Sequence, residues 1–150
     1  MLIIVSGAPG TGKTTLAHLL GRRIGCPVIS RDEIREGLVH AGTPDDRFAL
    51  TYRLFIDVVT TFADAGVTSI AEAAFQDHNW RPLLDLGPTR ILRCVSASQR
   101  VVPRAAHPGR PVSIDDWVPI DSPAPTLIVN TTDGYSPGLD EIVTFAATGA

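Results

Sequence analysis

Short apolar runs alternate with segments of helical periodicity along the whole chain. Leu2–Ser6, Pro27–Ser30, Val67–Ala73, Arg90–Ser96 and Thr126–Thr131 are rich in Val, Ile and Leu and lack a clean in/out alternation. Such runs suit strands covered on both faces, which points to a parallel sheet. Between them the period changes to that of a helix. Leu16, Leu19, Leu20 and Ile24 make an apolar stripe and predict a helix over Thr14–Ile24. Phe48, Tyr52, Phe55, Val59 and Phe62 step by four, three, four and three on a longer helix. That aromatic stripe could wall a ligand, but aromatics dominate buried area and core packing is the expectation. Ser136-Pro137 reads as a helix start, with Asp140-Glu141 near the positive end and a helix running to about Ala147. Strands alternating with helices predict an α/β fold in which helices cover both faces of the sheet.

The turn between the first strand and the first helix carries the clearest chemistry. Gly7-Ala8-Pro9-Gly10-Thr11-Gly12-Lys13-Thr14 satisfies G-x-x-x-x-G-K-[ST] at every fixed position. Lys13 is the only lysine, and the other twelve basic residues are arginines. A compact ammonium on a flexible stem fits inside a ring of backbone amides, where a planar guanidinium does not. The glycines let successive N–H groups turn inward as an anion nest, and the helix N-terminus behind them favours negative charge. Residues Gly7 to Thr15 are therefore the candidate cradle for ATP: Gly7, Ala8, Pro9, Gly10, Thr11, Gly12, Lys13, Thr14 and Thr15. Lys13 is expected to bridge the β- and γ-phosphates, and the Thr14 hydroxyl to ligate Mg²⁺.

Further candidates lie where ligands bind in open α/β sheets, beyond the C-terminal strand ends. After the second strand comes Ser30-Arg31-Asp32-Glu33-Ile34-Arg35. Asp32 could take the proton of an acceptor hydroxyl, and Arg31 and Arg35 could clamp an anionic acceptor. The same residues also fit a capping box, with Ser30 at the N-cap and Glu33 reaching back. Glu72 is the only acid on the third strand and lies near its end, the place of a Walker-B acid that holds the metal's hydration shell. It could equally be a polar strand end, and Asp77 is a second candidate. Ser98 to Pro125 breaks the rhythm with Pro103, Pro108, Pro111, Pro119, Pro123 and Pro125, half of the twelve prolines. Loops this long act as lids or binding loops. Within this 98–125 lid, Ser113–Trp117 could form a short helix. Arg100, Arg104 and Arg110 are its candidate phosphate or adenine contacts, Arg104 for the transferring charge and Arg100 for the nucleotide; each is otherwise a solvated loop arginine. Asn130-Thr131-Thr132-Asp133-Gly134, after the final strand, could border the base or be an ordinary turn. His18, His40, His78 and His107 share no metal spacing and receive no role.

Composition narrows the function classes. At 150 residues one domain, 1–150, is expected, with no internal repeat or linker. Thirteen basic against sixteen acidic residues give a net charge of −3, which argues against a nucleic-acid or membrane partner. Cys26 and Cys94 sit among apolar neighbours without C-x-x-C spacing and read as buried thiols. Four apolar residues before Ser6-Gly7, without a cationic leader, do not make a secretion signal, so a cytoplasmic location is expected. A monomer or a homodimer fits equally. A GTPase would need N-K-x-D, and the single lysine is already in the loop. Ring-forming ATPases need a second acid after Walker B, where Ala73 follows Glu72.

Taken together, the chain resembles the small P-loop kinases, in particular the chloramphenicol-phosphotransferase-like and zeta-toxin-like branch of the P-loop NTPases. The resemblance rests on Ile4 to Ala17 and Val28 to Arg35, more loosely on Glu72-Ala73-Ala74-Phe75 and Val129 to Gly134. It implies a three-layer fold with a five-stranded parallel sheet in the order 2-3-1-4-5 and a lid carrying arginines. It also implies an acidic base at Asp32, Mg²⁺ on Thr14, and phosphoryl transfer from ATP to a hydroxyl of a small molecule. Glu72 stands where Asp is commoner, and the lid is short and broken by proline. A P-loop ATPase or an ATP-binding protein without kinase turnover is the alternative.

Overall fold

A computed structural model of the chain describes residues 1–46, 48–75, 77–97 and 117–148. In chain order it contains β1 (Leu2–Gly7), α1 (Lys13–Ile24), β2 (Val28–Ser30), α2 (Arg31–His40), α3 (Phe48–Asp64) and β3 (Ser69–Glu72). There follow α4 (Asp77–Leu84), β4 (Thr89–Val95), β5 (Thr126–Asn130) and α5 (Leu139–Ala147). The five strands form one sheet in the order β2-β3-β1-β4-β5, and every pairing is parallel. β1 is central and wholly buried. Leu2 to Val5 register with Ser69 to Glu72 of β3, and Leu2 to Gly7 with Thr89 to Cys94 of β4.

Two cores follow from the alternation of side chains along β1. Ile3 and Val5 join Ile70, Leu92 and Val129 on the face covered by Leu16, Ala17 and Leu20 of α1 and Ile142 and Ala146 of α5. Leu2 and Ile4 join Ile29, Ala71 and Ile91 on the face covered by Phe55 and Val59 of α3 and Trp80 and Leu83 of α4. Trp80 meets Phe75 at a ring-centroid distance of 4.2 Å, Tyr52 at 5.0 Å and Phe55 at 5.5 Å. From Tyr52 to Phe62 the stripe on α3 is core, with Phe55 and Val59 fully buried and Tyr52 and Phe62 packed against that cluster. Truncating a side chain such as Phe55 to Ala would cost about 3–5 kcal/mol.

Four strands and the first helix begin and end within one residue of the bounds expected from the pattern. The exceptions have local causes. β3 starts at Ser69, because Val67 N–H donates to the Phe62 carbonyl at 2.9 Å and closes the end of α3. Ser136-Pro137 is not a helix start. The peptide is cis, and Ser136 exchanges backbone hydrogen bonds with Asn130 at 2.8 and 3.0 Å. The cap of α5 is Gly138, so Asp140 and Glu141 do occupy the first turn. α4, with Pro82 inside it, was not anticipated. Among the described residues, no helix is long and apolar enough to cross a membrane.

Candidate active site

The C-terminal ends of β1, β2 and β3 bring Lys13, Thr14, Asp32 and Glu72 together beside the glycine-rich loop. Gly7, at the end of β1, has φ 149°, and a Cβ there would lie 2.5 Å from the Cys94 carbonyl oxygen and 2.8 Å from Thr11 Oγ1. Only glycine lets the chain leave the strand this close to β4. Gly10 and Gly12 follow with φ 81° and 76°, and Gly12 caps α1. Thr11 Oγ1 and Lys13 Nζ both donate to the Ala8 carbonyl, at 2.8 and 3.0 Å. These bonds gather the Thr11 hydroxyl and the Lys13 ammonium on one loop carbonyl. Lys13 is 9% exposed, so its ammonium is held within the loop instead of in bulk water.

Thr14 and Glu72 meet on the rim of this loop. Thr14 Oγ1 donates to Glu72 Oε2 at 3.2 Å, and Ser30 Oγ donates to the same oxygen at 2.6 Å. Burial pushes the Glu72 carboxyl above its ordinary range. The Ser30 bond, the Lys13 charge and the Thr14 bond pull it back, while the Asp32 charge raises it further. Asp32 is therefore close enough to act on Glu72 electrostatically. The Thr14 hydroxyl and Glu72 carboxylate are hard oxygen donors. They fit a Mg²⁺ that keeps several waters and takes phosphate oxygens. Among the described residues, no cluster of three or more His, Cys, Asp or Glu makes an all-protein metal cage.

The capping box does not form. Ser30 is the N-cap of α2 but makes no side-chain cap bond, because its hydroxyl is turned to Glu72. Glu33 faces His18 instead, Oε1 to Nε2 at 2.5 Å. Arg31 is half-buried at the start of α2. Arg35 is buried, and its Nη1 donates to both Asp45 carboxylate oxygens at 2.8 and 3.1 Å, so part of its fork is already engaged. Thr15 is exposed and Pro9 half-buried on the loop. Arg100, Arg104 and Arg110 lie outside the described residues, as do 113–116 of the expected lid helix. Trp117 is described, and its Nε1 donates to the Ala74 carbonyl at 2.6 Å.

Two contacts escaped the sequence reading. One is Ser30 on Glu72. The other is Thr131, whose Oγ1 donates to the Thr11 carbonyl at 2.8 Å and ties the turn after β5 to the phosphate loop. Thr131 sits in the turn singled out for the base, which was the available signal. Beneath the loop, burial pushes the Cys94 thiol up to about 12, so it stays uncharged at neutral pH.

A family profile described as AAA domain matches residues 2–111. Among solved structures the chain is similar to a protein of Chloroflexus aurantiacus described provisionally as a kinase. Identity is 27%, the alignment covers 95% of this chain and 91% of that one, and the TM-score is 0.73. It also resembles a sugar kinase from Janibacter sp. HTCC2649, at 21% identity, 97% and 95% coverage and a TM-score of 0.66. A third is the shikimate kinase of Aquifex aeolicus, at 18% identity, 95% and 94% coverage and a TM-score of 0.61. At the last two identities the likeness speaks for the fold.

Proposed function

The chain belongs to the AAA domain family, and from that premise we propose that it is an ATP-dependent small-molecule kinase that moves the γ-phosphoryl group of ATP to a hydroxyl. The observation that carries this reading is the meeting of Thr14 and Glu72 at 3.2 Å beside a loop holding a buried Lys13. A carboxyl group, a hydroxyl and an ammonium converge where a triphosphate would end. The kinase, sugar kinase and shikimate kinase neighbours support the same reading.

In this proposal the loop amides of Gly7 to Thr14 bind the β-phosphate, and Lys13 exchanges the Ala8 carbonyl for phosphate oxygens. The Thr14 hydroxyl would ligate Mg²⁺ and Glu72 would hold its water shell, and the ion would supply charge neutralisation for the phosphates. Asp32 accepts the proton of the acceptor hydroxyl. The acceptor oxygen bonds to γ-phosphorus as the bond to the bridging oxygen breaks, and ADP leaves. Arg31 orients the acceptor from the start of α2, Arg35 does so from its Asp45-anchored position, and Arg104 and Arg100 serve from the lid. Catalysis on this scheme is positioning and charge stabilisation. The Ser30 to Arg35 segment supports the finer placement in the chloramphenicol-phosphotransferase-like and zeta-toxin-like branch.

The test is ADP release from ATP and Mg²⁺ with a panel of hydroxylated metabolites and antibiotics. Release that depends on an acceptor supports the proposal. Release without any acceptor, or none with any compound, contradicts it.

A further inference from the structure

The other face of the sheet carries polar groups that the nucleotide side does not use. Ser6 is the last β1 residue before Gly7 and is 0% exposed, yet its Oγ has no hydrogen-bond partner among the described residues. Arg93 of β4 is directly opposite it in register. Its Nη2 donates to the Ile120 carbonyl at 2.9 Å, while its buried Nε has no partner among the described residues. No ion pair among the described residues reaches Arg93.

Both side chains share one face of the sheet. Ile4 and Ile91, two residues earlier on each strand, belong to the core under α3 and α4. The period of two places Ser6 and Arg93 on that face, at the C-terminal edge. The phosphate loop instead feeds α1, which packs on the opposite face. Beside them runs the exit of β3. Ala73 and Phe75 are buried in the same core, Phe75 holds φ 49°, and Trp117 pins the Ala74 carbonyl. A bulky residue in that left-handed region is strained, and such strain gathers at ligand sites.

Arg93 is half-buried, but its Nε–H is buried without a partner among the described residues, and so is the Ser6 hydroxyl; both are unfavourable. Both deficits are met by one ligand group that accepts hydrogen bonds and carries negative charge. The Nε–H with a remaining Nη hydrogen makes a side-on fork matched to two oxygens. We propose that Arg93 and Ser6 form an oxyanion subsite on the acceptor side, so that the phosphoryl acceptor is a hydroxyl compound bearing a carboxylate or phosphate. This rests on the kinase reading for its meaning, but not for its measurement.

The test is thermal unfolding with ADP and Mg²⁺ saturating the phosphate loop, at matched ionic strength. Inorganic phosphate or gluconate should raise the melting temperature of the wild type by about 3 °C near ten times the dissociation constant, and chloride or glucose should not. Arg93→Met should lose that shift, and Arg93→Lys should keep part of it. Ser6→Ala carries the same test if Arg93→Met does not fold, and should weaken the shift. Equal shifts in all variants, or none in the wild type, overturn the proposal. The anion could instead be a phosphate of ATP. Calorimetry would then show Arg93→Met weakening ATP binding on the order of a hundredfold, which also overturns the acceptor assignment. Failure of the kinase reading is seen separately, as a wild type that takes up no ATP while the anion shift persists in Lys13→Ala.

Discussion

The two faces meeting at the C-terminal edge of the sheet treat their polar groups in opposite ways. On the face of α1, the groups pair with one another. Thr11 and Lys13 bind Ala8, Thr14 and Ser30 bind Glu72, and Thr131 binds Thr11. On the face of α3 and α4, Ser6 Oγ, Arg93 Nε and Trp80 Nε1 are buried without partners among the described residues. A phosphate chain is the same in every enzyme that uses it, so its cradle is preformed and self-supporting. Groups for a particular acceptor find their partners only in that acceptor. The preformed face is therefore where a short motif suffices, and the unsatisfied face is where specificity is built.

Substitutions can break or sharpen this contrast. The largest effect is expected at Lys13. Lys13→Ala should lower acceptor-dependent turnover by about a hundredfold or more, by analogy with other preorganised charge donors. Steady-state ADP release measures it, and a loss of only a few-fold would remove the ammonium from the centre of the preformed face.

Glu72→Gln should lower turnover by roughly tenfold or more while stabilising the nucleotide-free protein. Burial raises the folded pKa of Glu72 above its unfolded value near 4.5. The neutral form is thus the better one in the fold. Its stability contribution is complete below the unfolded pKa and is lost as pH rises through the folded value. The variant should melt above wild type at neutral pH, and the gap should close as pH falls toward 4.5. A gap that widens on acidification would contradict the assigned cause.

Gly7→Ala tests the close approach of the loop to β4. The added Cβ meets a backbone carbonyl 2.5 Å away at a φ that L residues avoid. A loss of about 2–3 kcal/mol is expected in denaturant unfolding, together with loss of ATP binding. Wild-type stability in the variant would mean that the loop is looser than described.

The smallest effect is expected at Thr131, where Thr131→Val removes one hydroxyl and little volume. Stability should fall by about 1 kcal/mol. The KM for ATP should rise a few-fold with kcat nearly unchanged, and Thr131→Ser should restore it. A change in kcat alone would place Thr131 in the chemistry instead of in support of the loop.

The same contrast explains what the sequence disclosed. The phosphate loop is a contiguous motif, so Gly7 to Thr15 could be read directly. The parallel strands showed as short runs of Val, Ile and Leu, because both faces of a central strand such as β1 are buried. Ser30 was misread. Its local pattern with Glu33 suits a cap, and only β2–β3 pairing, Ser30 opposite Glu72, reveals the competing partner. Arg93 and Ser6 were passed over for the same reason. They lie far apart in sequence, and nothing local marks them as neighbours until β1 and β4 are set in register. α4 was missed because it is short and contains Pro82, which lowers any helix reading. Arg100, Arg104 and Arg110 lie outside the described residues.

Isothermal titration of the chain with ATP and Mg²⁺, in wild type and in Lys13→Ala, bears on the phosphate cradle with the fewest intervening assumptions. Saturable uptake at one site in the wild type, greatly weakened by the substitution, is the expected result. No uptake by the wild type, or equal uptake by both proteins, would mean that the loop from Gly7 to Thr14 does not hold a triphosphate.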